Sequence, residues 1–171
     1  MAISTSRARR ETTGKETKVR EIVKVPDPVL HKISLPVTNI DGYIRELAGE
    51  MEAHLSATAQ ITRLGLAAVQ LGELVRIIVV MWNLYSPDFR QPVIIINPEM
   101  VPKSPKMVES QEGCLSIGDG TTLYTVKRFK LVKVTGLNID GQRVVYKERG
   151  LPGYALQHEI DHLNGRLISD Y

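Results

Sequence analysis

Two histidines near the end of the sequence have the spacing of metal ligands on one helix. His158 and His162 are the ends of a His-Glu-x-x-His motif whose second residue is Glu159. Side chains four positions apart lie on the same face of a helix, so both imidazoles can bind one divalent ion. Glu159 lies about 100° around the helix from His158, where its carboxylate reaches a water molecule beside the ion. The motif indicates metal-dependent hydrolysis; a polar helix that faces solvent is the alternative.

The residues around this motif favour the metal site. Four apolar residues recur there at helical spacing: Leu156, Ile160, Leu163 and Leu167. This pattern predicts a helix that packs in a core. Buried histidines need polar partners, and one metal ion would serve both rings.

Two histidines leave a tetrahedral ion short of one protein ligand. Downstream of His162 the only candidate donor is Asp170, so the third ligand is expected upstream. Cys114 is the only cysteine, and a thiolate is a strong ligand for borderline or soft ions. A lone cysteine is otherwise most often a small buried apolar residue. With Cys114 as third ligand, a fourth position stays open for water, as in catalytic sites.

Three short segments share their order with the motifs of one enzyme family. They are Gly65 to Gln70 (GLAAVQ), Glu112 to Ser116 (EGCLS) and Gln157 to Gly165 (QHEIDHLNG). Together they resemble the peptide deformylase family, whose motifs are G-x-G-L-A-A-x-Q, E-G-C-L-S and Q-H-E-x-D-H-x-x-G. The resemblance covers roughly residues 22–171. It implies an enzyme that removes the formyl group from N-formylmethionine at the start of new polypeptides.

The resemblance also implies catalytic roles and a cofactor. Glu159 would be the general acid and base, while the Gln70 amide and the Leu115 N–H would donate hydrogen bonds to the oxyanion. The ion is commonly Fe(II) in the family, and zinc, nickel or cobalt can take its place. Its ligands would be Cys114, His158 and His162. Without the resemblance, Gln70 reads as a turn residue.

A second group of residues is expected around the substrate. The backbone near Leu64 and Gly65 would pair with the peptide as an added strand, and Gly113 would lie beside it. Arg128 aligns with an arginine near the substrate, whereas Tyr154 belongs to the segment that lines the methionine pocket. Ordinary turn glycines and a solvated strand charge at Arg128 are the alternatives.

The sequence departs from the family pattern at three places. Arg63 replaces the first glycine of the first motif, and the loop 117–126 is longer than expected. Many bacterial members continue into a helix that docks on the ribosome, but this sequence stops at Tyr171. These changes leave the chemistry intact and bear on substrate choice and on a transient ribosome contact.

The candidate site residues must be positioned by helices and strands. The predicted order of these elements indicates an α+β fold, with mainly antiparallel sheets packed around the C-terminal helix. Asp41 is the expected cap of a first helix, and an Asp140-Gly141 turn is expected to join a hairpin. The last helix is expected from Leu151 to the Asn164-Gly165 stop. The predicted strands are 22–25, 74–82, 93–96, 130–137 and 142–147.

Composition divides the chain into two parts. Residues 1–20 hold six basic and two acidic residues, so the net charge of +3 leaves the other residues at −1. We expect 1–20 to be a basic, disordered extension and 21–171 to be the catalytic domain. No apolar run approaches the ~20 residues of a membrane span. Residues 1–20 contain no apolar stretch of the kind found in secretory signals, so we do not expect them to be one.

These features set the expected partners and location. A formylmethionyl peptide is the expected substrate, with neither a membrane nor a specific nucleic acid as partner. We expect a cytoplasmic enzyme of bacterial type, with an organelle as the less favoured location. The rival functions are hydrolysis of another N-formylated small molecule, a non-catalytic binding protein of the same fold, and an endopeptidase.

Overall fold

The computed structural model describes residues 20–56, 64–82 and 91–171. Residues 1–19 of the expected extension and Arg63 lie outside this part of the chain. Arg20 is described: its guanidinium bonds to Glu50 and lies 3.3 Å from a carboxylate oxygen of Glu73. The disorder of the extension stays a prediction.

Seven strands and two α-helices form within the described residues. In chain order they are α1 (Gly42–Ser56), β1 (Gly65–Ala67), β2 (Ile77–Trp82), β3 (Gln91–Pro102), β4 (Met107–Glu112), β5 (Tyr124–Phe129), β6 (Leu131–Leu137), β7 (Arg143–Arg149) and α2 (Gly150–Leu163). Five strands form one sheet in the order β1-β2-β3-β6-β7, and β4 pairs with β5 in a second sheet. All these pairs are antiparallel, which confirms the predicted α+β class.

The two helices cover opposite faces of the five-stranded sheet. Alternate residues of a strand point to opposite faces, and Ile77 and Val79 pack in the cluster that contains the buried residues of α1. Ile78 and Val80 pack with the apolar residues of α2. Burying one such side chain contributes about 1.5–3 kcal/mol. Packing against this face of the sheet therefore holds α2 in place, and with it the His-Glu-x-x-His motif.

Both predicted helices are confirmed. The Asp41 carboxylate accepts a hydrogen bond from Ile44 N at 3.0 Å, which caps α1 as expected. Helix α2 begins at Gly150 and ends at Leu163. Gly165 follows with φ +71°, a left-handed conformation that favours glycine after a helix.

The strands differ from the predictions in three ways. The predicted strand at 22–25 is wrong: Val23 N bonds to Gln70 O and Val25 N to Ser116 O, two separate contacts and no ladder. Strand β2 begins at Ile77 rather than at 74, whereas β3 extends well beyond 93–96. Strands β1, β4 and β5 were not predicted: β1 has only three residues, and β4 (MVESQE) is polar. The hairpin of β6 and β7 around Asp140-Gly141 is confirmed.

No helix among the described residues is long and apolar enough to cross a membrane.

Candidate metal centre and substrate cavity

Cys114, His158 and His162 converge as the sequence predicts. Cys114 lies in the loop after β4, and both histidines project from α2. One ligand atom from each residue lies within 4.8 Å of the other two, and Cys114 Sγ is 3.2 Å from His162 Nε2. All three side chains are buried. A thiolate and two imidazoles at this spacing suit a borderline divalent ion such as Fe(II) or zinc.

Glu112 orients the first of these histidines. His158 Nδ1 lies 3.0 Å from Glu112 Oε2, so the ring donates its Nδ1–H there and keeps Nε2 for a metal. Burial opposes ionisation of Glu112, but hydrogen bonds from Arg128 and His158 outweigh it and lower its pKa to about 2. The role of Glu112 was missed from the sequence, although an acidic residue two positions before a ligating cysteine is a usable signal.

The electrostatics of the three residues favour a cation between them. Burial alone would lower the pKa of His158, but contacts with Cys114 and Glu112 raise it to about 10. Burial lowers the pKa of His162, which keeps that ring neutral. The site thus stabilises positive charge beside Cys114, and a divalent ion supplies that charge in place of the His158 proton. The donor set and its charge therefore fit a metal ion.

Glu159 lies next to His158 on α2, in surroundings that suit proton transfer. Its carboxylate is buried, and Oε2 has no hydrogen-bond partner among the residues that the structure describes. Desolvation raises its pKa to about 7. A carboxyl with this pKa exchanges protons efficiently near neutrality.

The side-chain amide nitrogen of Gln70 faces Cys114. Its Oε1 accepts a hydrogen bond from Ala67 N at 2.9 Å. Its Nε2 lies 3.2 Å from Ser116 Oγ and 3.7 Å from Cys114 Sγ. These contacts fix the amide with its nitrogen towards Cys114 and Ser116. Leu115 lines the cavity, and its carbonyl accepts from the Lys24 ammonium.

Arg128 does not reach the cavity, contrary to the expected position near the substrate. It is 2% exposed, so it is not a solvated strand charge either. Its Nε and Nη2 donate to the two Glu112 oxygens at 2.9 and 2.7 Å, and Nη1 donates to Asp161. Burial alone would lower the pKa of Arg128, but the carboxylates outweigh it and raise the pKa.

Two of the three candidate ligands, Cys114 and His158, line a cavity of about 420 Å³, a typical volume for a small-molecule site. Four residues expected around the substrate line it: Leu64, Gly65, Gly113 and Tyr154. The loop 117–126, which is longer than the family pattern, also lines the cavity through Asp119, Gly120 and Thr121. Gly113 packs against the Gly120 carbonyl, so a side chain at 113 would push this loop away.

The sequence matches a known family. A model of the polypeptide deformylase family matches residues 19–171. The peptide deformylase of Desulfosudis oleivorans is 40% identical over 154 residues, which cover 89% of this chain and 84% of the relative.

Solved structures agree in fold. The peptide deformylase of Ehrlichia chaffeensis superposes with a TM-score of 0.80 at 35% identity, covering 90% of this chain and 88% of its own. That of Synechococcus elongatus, in complex with actinonin, has a TM-score of 0.79 at 30% identity, covering 90% and 81%. The chain therefore belongs to the peptide deformylase family.

Proposed function

We propose that Cys114, His158 and His162 bind one divalent ion, Fe(II) by preference, and that Glu159, Gln70 and Leu115 carry out the hydrolysis around it. As a peptide deformylase, the chain removes the N-formyl group from the N-terminal methionine of newly made polypeptides. The observation that carries the proposal is the convergence of the three ligand atoms within 4.8 Å beside the buried Glu159. Zinc, nickel and cobalt suit the same donors.

The proposed chemistry divides between the ion and the protein. When bound, the ion acts as a Lewis acid that makes water a nucleophile at neutral pH. Glu159 takes the proton of the attacking water and returns it to the amine that leaves the formyl carbon. The product amine and formate then carry the atoms of the added water.

Two donors are proposed to stabilise the charge that forms on the formyl oxygen. The Gln70 Nε2 donor points at the metal side of the cavity, and the Leu115 N–H belongs to the residue after the thiolate ligand. Fixed donors of this kind need no reorganisation during the reaction. Losing one typically costs about 2.7–4 kcal/mol of transition-state stabilisation.

The peptide is proposed to bind along β1. This strand is an edge of the five-stranded sheet and leads from Leu64 and Gly65 at the cavity wall. An edge strand can accept an extended peptide through main-chain hydrogen bonds. The methionine side chain would then occupy the part of the cavity lined by Leu151, Tyr154 and Ala155. Arg128 has no place in this proposal.

Actinonin and the cellular setting extend the proposal. Because a related deformylase is solved with actinonin, we expect this compound to compete with the peptide here. We place the enzyme in the cytoplasm of a bacterial-type cell, with a transient ribosome contact.

The test is turnover of formyl-Met-Ala-Ser by protein purified without oxygen. Formate release is expected from this peptide, with little from formyl-Gly-Ala-Ser. Acetyl-Met-Ala-Ser is expected to release neither acetate nor a free N-terminal amine. Equal turnover of the first two peptides would favour another formylated substrate. Cleavage of casein in place of deformylation would favour an endopeptidase, and no turnover with a full metal complement would favour a binding protein.

A further inference from the structure

Arg128 connects the two parts of the chain that supply the metal ligands. Glu112, at the end of β4, lies two residues before Cys114, and Asp161 lies on α2 between His158 and His162. Arg128 binds both carboxylates. Glu112 Oε2 accepts from Arg128 Nη2 at 2.7 Å and lies 3.0 Å from His158 Nδ1. A shift of the guanidinium therefore moves the oxygen that orients a ligand.

Tyr171 contacts both Asp161 and Arg128. The Tyr171 hydroxyl donates to Asp161 Oδ2 at 2.7 Å. The same hydroxyl oxygen lies 3.5 Å from Arg128 Nη1, which also donates to Asp161. The Arg128 Cζ atom lies 5.4 Å from the Tyr171 ring centroid, within the range of a cation–π contact. The phenol thus holds the guanidinium by its oxygen and by its ring.

We infer that Tyr171 is a positioning residue for the metal ligand His158 and acts through Asp161, Arg128 and Glu112. The attraction within a buried ion pair offsets the cost of desolvation only when the geometry is good and the remaining donors and acceptors are hydrogen-bonded. Asp161 is the most exposed member of the two ion pairs, with 19% of its side chain accessible. Tyr171 supplies a hydrogen bond there. The inference rests on the proposed metal site.

The size of the effect follows from distance along this chain of contacts. Replacing the direct partner of a metal-ligating histidine typically costs about 10–100-fold in metal affinity. Tyr171 is further from the ion, so a smaller effect is expected. Tyr171→Phe removes the hydroxyl and keeps the ring; we expect about a three-fold faster loss of metal. Tyr171→Ala removes both, and we expect about a ten-fold faster loss.

Tyr43 offers a matched control. Its ring lies 5.9 Å from the Arg20 Cζ atom, so it makes the same kind of contact with a guanidinium. It belongs to α1, which packs on the face of the sheet opposite α2. Tyr43→Phe and Tyr43→Ala therefore disturb an equivalent tyrosine–arginine pair without touching Asp161 or Arg128.

The experiment uses the full chain loaded with cobalt. The release of cobalt to excess EDTA is followed by the loss of its visible absorption, and the rates of the four variants are compared with the parent chain. We expect the three-fold and ten-fold increases for the two Tyr171 variants and an unchanged rate for the Tyr43 variants. Unchanged rates for both Tyr171 variants, or an equal increase for Tyr43→Ala, would overturn the inference.

A double-mutant cycle tests the route. If Tyr171 acts through Asp161, Tyr171→Phe adds less than 1.5-fold to the release rate once Asp161→Asn is present. A full three-fold addition contradicts the proposed route. Failure of the parent chain to bind cobalt at all would instead refute the proposed ligand set, so the two failures are distinguishable. Because Tyr171→Phe removes one oxygen only, it keeps the test valid if Tyr171→Ala does not fold.

Discussion

Gly65 lies directly against the side chain of Glu159. A Cβ atom at position 65 would be 2.6 Å from Glu159 Cγ and 2.7 Å from its Cδ. These separations are far below van der Waals contact, so any side chain at 65 displaces the carboxylate. Gly65 therefore has a second role besides its place in strand β1: it makes room for the proposed proton carrier.

Gly65→Ala is expected to lower kcat/KM about 100-fold, because a displacement of about 1 Å at a reacting group can cost this much. Metal content should be unchanged, since the three atoms nearest to a Cβ at position 65 all belong to Glu159, which is not a proposed ligand. Steady-state kinetics with formyl-Met-Ala-Ser and elemental analysis check both points.

Gly49→Ala is the control: no atom lies within 4 Å of a Cβ there. It should leave kinetics intact and stabilise α1 by roughly 0.5–1 kcal/mol. Full activity of Gly65→Ala would refute the steric argument.

Glu159→Ala is expected to retain the metal and lose nearly all turnover. The carboxylate is proposed to move a proton and not to bind the ion, so the three ligands remain in place. The readouts are the metal-to-protein ratio and single-turnover release of formate. A fully active Glu159→Ala variant would show that another group is the base.

The Gln70→Glu variant should distinguish the proposed role of Gln70 as a hydrogen-bond donor from its structural contact with the backbone. The variant keeps an oxygen for the Ala67 N–H but replaces the amide donor that faces Cys114. We expect kcat to fall about 10²–10³-fold. KM should change little, because the donor acts mainly on the transition state. Gln142→Glu, in the remote hairpin turn, serves as control. A proportional rise in KM with unchanged kcat would place Gln70 in substrate binding instead.

Glu112 should make folding of the metal-free protein pH-dependent. Its folded pKa of about 2 lies below the usual value of 4.5, so the native state favours the ionised form. The associated stability, on the order of 3 kcal/mol, is complete above about pH 4.5 and is lost as pH falls towards 2.

The check is denaturant unfolding of the parent chain and of Glu112→Gln at pH 7 and pH 3. The difference between the two proteins should shrink at the lower pH. Glu109→Gln, on the exposed side of the same strand, is the control substitution. An equal Glu112→Gln difference at both pH values would contradict the assignment.

The convergence of the three candidate ligands was predictable from the sequence where local spacing decides geometry. His158 and His162 share a helix face because the helical repeat requires it, and the lone Cys114 was the remaining strong donor. Arg128 was not predictable, because its partners depend on pairing between β4 and β5. The register sets Val108 opposite Arg128, so Arg128, Ser110 and Glu112 share one face. Polar strands of this kind lack the β-branched apolar runs that reveal β2 and β3.

Metal content tests the central claim most directly. Protein purified without oxygen should contain about one divalent ion per chain, and His54→Gln, which alters a histidine on α1, should match it. Cys114→Ala and His162→Ala should each retain a small fraction of that content while the far-ultraviolet circular dichroism stays native. A full equivalent of metal in either ligand variant, or none in the parent protein, would contradict the account.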